Sequence, residues 1–377
     1  MSGPPYPAAR AVAPTIEGYF RRHLAAEDEA QHDAAILPDA GAIERIIDTA
    51  FWASLRREEG YVPKISLAFL RPEQTVSSLM LERPLPLAPA ALAHLAPAVE
   101  RPGIHLGVWR EREELRVWGT TRVIPTFCFV LEVVGPGLLV VKHRRSESGK
   151  FVNVLVLEGD QTKVVDESAS SLPDCPALLT SLLGFHSPRR SLEDVNVLVE
   201  LAVSMRTHGR GGSLLVVPAG TESWRESILR PISYPVVPPF AELAELMRED
   251  AGQRHQRRWQ DALHPAIEAI AGLTAVDGAT VITNEYEVLA FGAKIGRRDG
   301  WTRVQEVVVT EPIEGSAATI VHPAELGGTR HLSAAQFVQD QRDALALVAS
   351  QDGRFTIFAW SPRENMVHAH RVESLLL

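Results

Sequence analysis

Near the start of the chain, apolar residues recur at intervals of three and four. Ile43, Ile46, Ile47, Ala50 and Phe51 fall on one face of a 3.6-residue period, which predicts a helix over residues 40–60, and a second helix is expected over 15–35. After residue 64 the period drops to two. Runs at 65–70, 105–109, 115–118, 122–134, 138–143 and 151–158 are rich in β-branched residues and separated by turn formers, so they read as strands. The Pro- and Ala-rich stretch 83–103 reads as a loop around a short helix. Helical spacing returns at 191–205, with Ser191 as the expected N-cap and Asp194 three residues on. The next segment, HGRGGSLLVVP at 208–218, is a Gly-rich turn running into an apolar strand. Gly209, Gly211 and Gly212 there would let the backbone turn sharply or approach a ligand.

Residues 231–239, PISYPVVPP, hold four prolines in nine positions and mark the expected domain boundary. Beyond it, 240–271 reads as helical, and its charged block REDAGQRHQRRWQD reads as a solvated face. A hairpin is expected from strands 275–283 and 287–295, followed by strands at 304–310 and 318–322 and a helix at 332–341. A buried strand at 344–350, an Asp352-Gly353 turn and a returning strand at 354–360 complete the pattern. Short strands interleaved with helices predict an α/β (α+β) fold. The C-terminal part is expected to be a mixed β-sheet flanked by helices, preceded by a separate α/β domain. The expected organisation is a disordered leader at 1–14, a first domain at 15–230, a linker at 231–239 and a second domain at 240–377.

Composition narrows the classes. The chain of 377 residues carries 38 Lys+Arg against 47 Asp+Glu, a net charge of −9, which argues against a partner that is nucleic acid or an anionic membrane. Two cysteines, Cys128 and Cys175, are too few for a disulfide framework, and Cys128 in an apolar run reads as a core residue. The most apolar stretch, Pro125 to Val141, is 17 residues long and broken by Glu132, Gly135, Pro136 and Gly137. A spanning helix needs about 20 apolar residues. The first residues, MSGPPYPAARAVAP, lack an apolar signal core, and a cytoplasmic location is expected. His368 and His370 sit two apart on a possible strand, and without a third ligand at a familiar spacing they read as structural.

Three short motifs carry candidate chemistry. In VDGATVI, Asp277 stands before Gly278 and Ala279 at the head of a strand, placing a carboxylate beside an uncrowded backbone that suits a hard metal ion with a phosphate or ribose close by. A DG pair is also a common turn. In LGGTRHLSAA, two glycines lead into Thr329, Arg330 and His331 at a helix start, where free N–H groups, a hydroxyl, a guanidinium and an imidazole would converge on an anion. In DALALVASQDGRFTIF, a buried strand delivers Ser350, Gln351 and Asp352 to a turn, which suits either a plain hairpin or the rim of a ligand crevice.

Taken in order, these motifs resemble the diadenylate cyclase domain, the family that condenses two ATP molecules into cyclic di-AMP. The resemblance runs over about 240–377 through Asp277-Gly278-Ala279, then Gly328-Thr329-Arg330-His331, then Asp343-Ala344 to Ser350, with VLAFGAKI at 288–295 similar to the family's second strand. It implies that Asp277, with Asp352, holds Mg²⁺ or Mn²⁺, and that Asp277, Arg330 and His331 serve catalysis. It implies nucleotide contacts from Gly278, Ala279, Gly292, Gly328, Thr329, Ser350 and Gln351. The implied partners are ATP and a second copy of the chain, since the product has two identical halves.

Two departures stand out. The family's second Arg after the His is Leu332, which cannot replace a guanidinium on phosphate, and its acidic residue after the Ser is Gln351. Residues 296–326 form a long segment that reads as an inserted flap. The front of the chain resembles a sensor placed before such cyclases, and HGRGGSLLVVP is similar to a turn-and-strand element of a predicted sensor class named for that position. The signal ligand it implies is unknown. Three readings stay open: a cyclase controlled by a sensor, a nucleotide-binding sensor of the same fold without turnover, and an interaction module without a nucleotide site.

Overall fold

A computed structural model describes residues 4–26, 36–57, 60–76, 78–144, 151–166, 196–249 and 257–377. The chain divides into two compact units, Met1–Val165 with Leu377, and Asp166–Leu376. Each is a mixed sheet flanked by helices, the α/β class expected.

The first unit holds helices α1 (Pro7–Ala26), α2 (Ala40–Ser54) and α3 (Pro89–Val99). Its strands are β1 (Ile65–Phe69), β2 (Ser78–Pro86), β3 (His105–Glu111), β4 (Glu114–Thr121), β5 (Val130–Gly135), β6 (Leu138–Arg144), β7 (Phe151–Glu158) and β8 (Gln161–Val164). They form one sheet in the order β2-β4-β3-β1-β5-β6-β7-β8, in which β1 and β3 are parallel and the other neighbours antiparallel. Strand alternation builds the core. Ile65, Leu67 and Phe69 of β1 join Ile16 and Phe20 of α1, Ile46 and Ile47 of α2 and Leu92 of α3. Ala68 and Leu70 point the other way, onto Trp118 and Cys128. Gly107 makes room for that indole, because a Cβ there would stand 2.1 Å from the Trp118 ring. The Trp118 Nε1–H donates to the Leu70 carbonyl at 2.9 Å. Burial pushes the Cys128 thiol up to about 12, so it is inert packing rather than a nucleophile.

Two expectations change in this unit. Residues 7–14 are not a disordered leader. They open α1, with Pro7 as its first residue, where no N–H is needed, and Ala9, Val12 and Ala13 buried. The strand expected over 122–134 begins at Val130, because a turn closed by Cys128 N–H on the Pro125 carbonyl, with Phe127 at φ +55°, precedes it. The helix expected past residue 26, the Ser191 cap, Cys175 and residues 250–256 of the charged block lie outside the described residues.

The second unit holds α4 (Val197–Thr207), α5 (Glu242–Arg248), α6 (Arg257–Leu273) and α7 (Thr329–Asp340). Its strands are β9 (Gly212–Val217), β10 (Tyr234–Phe240), β11 (Ala279–Thr283), β12 (Val288–Ala293), β13 (Val307–Thr310), β14 (Thr319–Val321), β15 (Leu345–Ala349), β16 (Phe355–Ser361) and β17 (Met366–Arg371). The sheet order is β10-β12-β11-β9-β15-β16-β17-β13-β14. Leu214 and Val216 of β9 pack with α4 and α6 on one face, while Leu215 and Val217 pack with α7 on the other. A strand buried on both faces reads as a continuous apolar run, which is what SLLVV shows.

β9 moves the expected boundary. It lies between β11, to which it is parallel, and β15, to which it is antiparallel, so residues 196–230 belong to the second unit rather than to a domain ending at 230. The Pro-rich stretch 231–239 is not a linker. It supplies β10, which pairs with β12 alone at the sheet edge, where the missing N–H groups of its prolines are tolerated. Nor is 296–326 only a flap, since β13 and β14 within it extend the sheet beyond β17. No helix among the described residues is long and apolar enough to cross a membrane.

A fragment starting at Phe240 lacks β9 and leaves β11 and β15 without their shared neighbour. It is expected to lose cooperative unfolding in urea, followed by near-UV circular dichroism, whereas one starting at Asn196 keeps a single sharp transition.

Candidate functional site

Strand register brings the three motifs to one end of the second sheet. Ala279 at the head of β11 is opposite Ser213 of β9, and Gly212 is opposite Ala349 at the tail of β15. Ala279 also faces Ala293 at the tail of β12. Asp277-Gly278, Arg210-Gly211, Lys294 and Ser350-Gln351 therefore all emerge from the same edge. With strands about 4.8 Å apart, Asp277 is one strand from Gly211, and the Ser350 turn is a second strand away, roughly 10 Å in all.

Glycine is required at the crossing points. Gly278 has φ +111°, and a Cβ there would lie 2.5 Å from the Gly292 carbonyl carbon. Gly292 has φ +63°, and its own Cβ would strike the Tyr234 ring at 2.8 Å. Two backbones thus touch directly under Asp277. Its carboxylate is 89% exposed and stands 3.7 Å from the Lys294 ammonium. Ala279, two residues on, is buried in the ladder.

α7 brings the second motif. Gly328 is its N-cap and has no side chain to satisfy the first-turn N–H groups, and Thr329 is exposed at the first position. The Arg330 guanidinium lies over Gly211, with Nη1 2.8 Å from where a Cβ would be; the Ala349 carbonyl and Gln351 Cγ are 3.1 and 3.4 Å from the same point. Arg330 is thereby set beside the strand ends that carry Asp277 and Ser350.

His331 turns inward instead. It is 2% exposed, its Nε2 is 3.4 Å from Thr356 Oγ1, and its ring meets Phe358 edge-on. Gly327 covers the other side, where a Cβ would come within 2.5 Å of Nδ1. Burial holds its pKa below the ordinary imidazole value; Arg354 and Arg371 push the same way, and Asp352 and Glu373 oppose them. An imidazole so covered anchors the first turn of α7 on β16, which differs from the open phosphate contact expected of it.

The third motif forms a tight turn. Ser350 N–H donates to the Arg354 carbonyl at 2.9 Å, and Gly353 N–H to the Ser350 carbonyl at 3.2 Å. Gln351 Nε2 donates to the Arg210 carbonyl at 3.3 Å, tying this turn to the HGRGG turn. Asp352 faces Arg354, with Oδ2 3.5 Å from Nε, rather than Asp277. No group of three or more His, Cys, Asp or Glu among the described residues is placed to hold a metal. His368 and His370 are each buried and bonded, to Glu364 at 2.9 Å and Thr310 at 2.7 Å.

Residues 32–122 match a family described as "Probable sensor domain DACNV". The N-terminal part of the chain therefore carries a sensor-domain likeness. The matched stretch spans α2, β1 to β4 and α3 of the first unit and ends well before HGRGGSLLVVP. That element, likened above to a sensor motif, instead forms β9 and borders the candidate site. No curated protein matches the chain. Among solved structures, a Bacillus cereus protein described as a hypothetical membrane spanning protein is 15% identical over 51% of this chain and 70% of its own, at a TM-score of 0.27. A superposition that poor carries no argument.

Sequence reading named Gly211 as a place where the backbone could turn or approach a ligand but did not set the Arg210-Gly211 turn beside the three motifs, and it missed Lys294. The Gly-rich turn before an apolar strand was the signal available for the first. Lys294 had none, because its pairing with Asp277 depends on the β11–β12 register.

Gly278→Ala must adopt a left-handed conformation and displace the Gly292 carbonyl. A loss of about 1–3 kcal/mol from the backbone conformation alone is expected in urea unfolding. Acid should also destabilise the second unit through His370. Burial, with His368 adding, pushes its pKa down to about 3, so below about pH 6.5 the unfolded chain takes a proton that the native imidazole refuses. Stability is full above that pH and falls as pH drops toward 3. His370→Asn is expected to flatten this slope in urea midpoints measured from pH 7 to pH 4.

Proposed function

We propose that the second unit is a diadenylate cyclase-type domain that binds ATP at this sheet end and condenses two ATP into cyclic di-AMP. The observation that carries the reading is the gathering of Asp277-Gly278, Arg330 and Ser350-Gln351 at one edge of one sheet, from motifs dispersed over 75 positions of sequence. Phosphoryl chemistry of this kind asks a protein mainly for positioning and charge neutralisation. The 3′-hydroxyl oxygen of one ATP attacks the α-phosphorus of the other and gives up its proton, and the bond to the bridging oxygen breaks, releasing pyrophosphate. The same step in the opposite sense closes the ring and releases a second pyrophosphate.

The residues divide the work. Arg330, the uncapped N–H groups of α7 and the Thr329 hydroxyl would hold the triphosphate. The close backbone contact at Gly278 and Gly292 would let the nucleotide lie flat on the strand ends, and Ser350 with Gln351 would line its other side. His331 would position Arg330 by fixing the helix start. Asp277 would orient the 3′-hydroxyl or hold the divalent ion.

One exposed carboxylate, with no group of three or more acidic, imidazole or thiol ligands placed for a metal among the described residues, suits Mg²⁺ or Mn²⁺ that takes further ligands from phosphate, and does not suit an ion caged by protein alone. When bound, the ion neutralises charge on the phosphates. Asp352, turned to Arg354, is the weaker donor. Each domain offers half of a two-fold product, so a second copy would face the first. The sensor-domain likeness at 32–122 supports control of that pairing by the N-terminal part, and ATP as substrate supports a cytoplasmic location.

A second reading keeps the site and drops turnover. It is favoured by Leu332 in place of a guanidinium and Gln351 in place of an acid. Incubating the purified chain with ATP and Mn²⁺ and resolving products by chromatography separates the two. Cyclic di-AMP is expected, and Asp277→Asn is expected to lower its formation by about a hundredfold or more. Saturable ATP binding without any dinucleotide would support the sensor, and no ATP binding at all would remove both.

A further inference from the structure

Residues 295–305 strap across the outer face of α7 and enclose a cavity of about 400 Å³. Its wall carries Arg297, Arg303, His322, Ser333 and Leu332, and no carboxylate of the described residues lines it. Two clamps fix the strap. The buried Gln336 accepts the Val304 N–H at 3.0 Å through Oε1, while its Nε2 donates to the Thr302 carbonyl at 3.2 Å and to Asp340 at 2.8 Å. Asp340 in turn accepts the Arg298 N–H at 2.8 Å. These bonds hold the backbone on either side of Arg303 and just after Arg297, and Gly296 N–H, donating to the Ser227 carbonyl at 2.9 Å, holds it just before Arg297.

Neither Arg297 nor Arg303 has a hydrogen-bond or ion-pair partner among the described residues, and both are exposed. Asp340 feels the charge of Arg297 but is buried and already bonded to Arg298 N–H and Gln336. His322 Nδ1 accepts the Ala324 N–H at 3.2 Å, which leaves Nε2–H as a donor. A second cavity of about 260 Å³, at the opposite end of the sheet, shows the contrast. There Arg298 is paired with Glu226 at 2.6 Å, Arg342 stacks on Trp360 at 3.9 Å, and Asp340 and Asp343 line the wall. Cations gathered without acids, in a chain of net charge −9, mark the larger cavity as an anion site.

We propose that this cavity binds a phosphate chain, with the Arg297 and Arg303 guanidiniums as its principal donors. Leu332 lines the same cavity, so the strap supplies guanidiniums beside the position where the cyclase motif has lost one. This last step rests on the nucleotide reading, whereas the anion site itself does not. The phosphate chain would come from the tail of a nucleotide or from free inorganic polyphosphate.

The test is calorimetric titration of the full chain with inorganic tripolyphosphate and, separately, with ATP. Wild type is expected to bind tripolyphosphate, and the double variant Arg297→Gln/Arg303→Gln to bind it about tenfold or more weakly while keeping the wild-type urea midpoint. No binding by wild type, or equal binding by the folded double variant, overturns the proposal. Should the double variant not fold, the same comparison passes to the two single variants, each expected to weaken binding severalfold, and equal binding by both overturns the proposal. With ATP present, exclusion of tripolyphosphate assigns the cavity to the nucleotide's tail, and simultaneous binding assigns it to free polyphosphate; both outcomes support the site. Tripolyphosphate binding without ATP binding would keep the anion site and remove the nucleotide reading, and ATP binding untouched by the double variant, with tripolyphosphate affinity also unchanged, would do the reverse.

Discussion

The insertion of β9 between β11 and β15 is the constraint on which the second unit depends. β9 is parallel to one neighbour and antiparallel to the other, so its N-terminal end adjoins the head of β11 and the tail of β15 at the same edge. Backbone hydrogen bonds in a ladder have no tolerance for a one-residue slip, because a slip would turn Leu214 and Val216 from the α4–α6 face to the α7 face. The register that satisfies both cores is also the one that sets Asp277, Gly211 and Ser350 side by side. Site geometry here is a by-product of core packing.

Close backbone contacts then shape that edge. The Gly292 backbone leaves no room for a Cβ at Gly278, the Tyr234 ring leaves none at Gly292, and Gly211 leaves its space to the Arg330 guanidinium. Both devices put charge and hydrogen-bonding capacity where side-chain bulk is missing, which is what a polyanionic ligand needs. The buried His331 belongs to the same design at one remove: it carries no charge outward, yet it pins the helix turn that carries Arg330. The strap over α7 repeats the theme with Gln336 and Asp340 as internal clamps, holding Arg297 and Arg303 at the surface without acid partners.

Much of the second unit was legible from periodicity. The β11–β12 hairpin, the start of α7 after two glycines and the β15–β16 turn at Asp352-Gly353 are local features, governed by contacts within a few residues, and their sequence signals correspond to them. The errors fell where a local signal met a distant partner. A run of prolines reads as a linker, but β12 offers an edge where those prolines fit as β10. An N-terminal Pro- and Ala-rich stretch reads as frayed, but the sheet of the first unit buries Ala9, Val12 and Ala13 and makes it a helix. GRGGSLLVV is apolar and Gly-led wherever it sits, and nothing in it says which strands it will pair with.

By itself, then, the order of residues determined the element types, the three motifs and the chemistry each can offer, because hydrophobic period, turn formers and ionisable groups act over short range. Tertiary structure decided which strands became neighbours, and with that the boundary after Val165, the inward turn of His331, the pairing of Asp277 with Lys294 and the assembly of an arginine-bearing strap over α7. Those outcomes depend on burying two faces of one sheet at once, a requirement imposed by residues far apart along the chain and absent from any window of it.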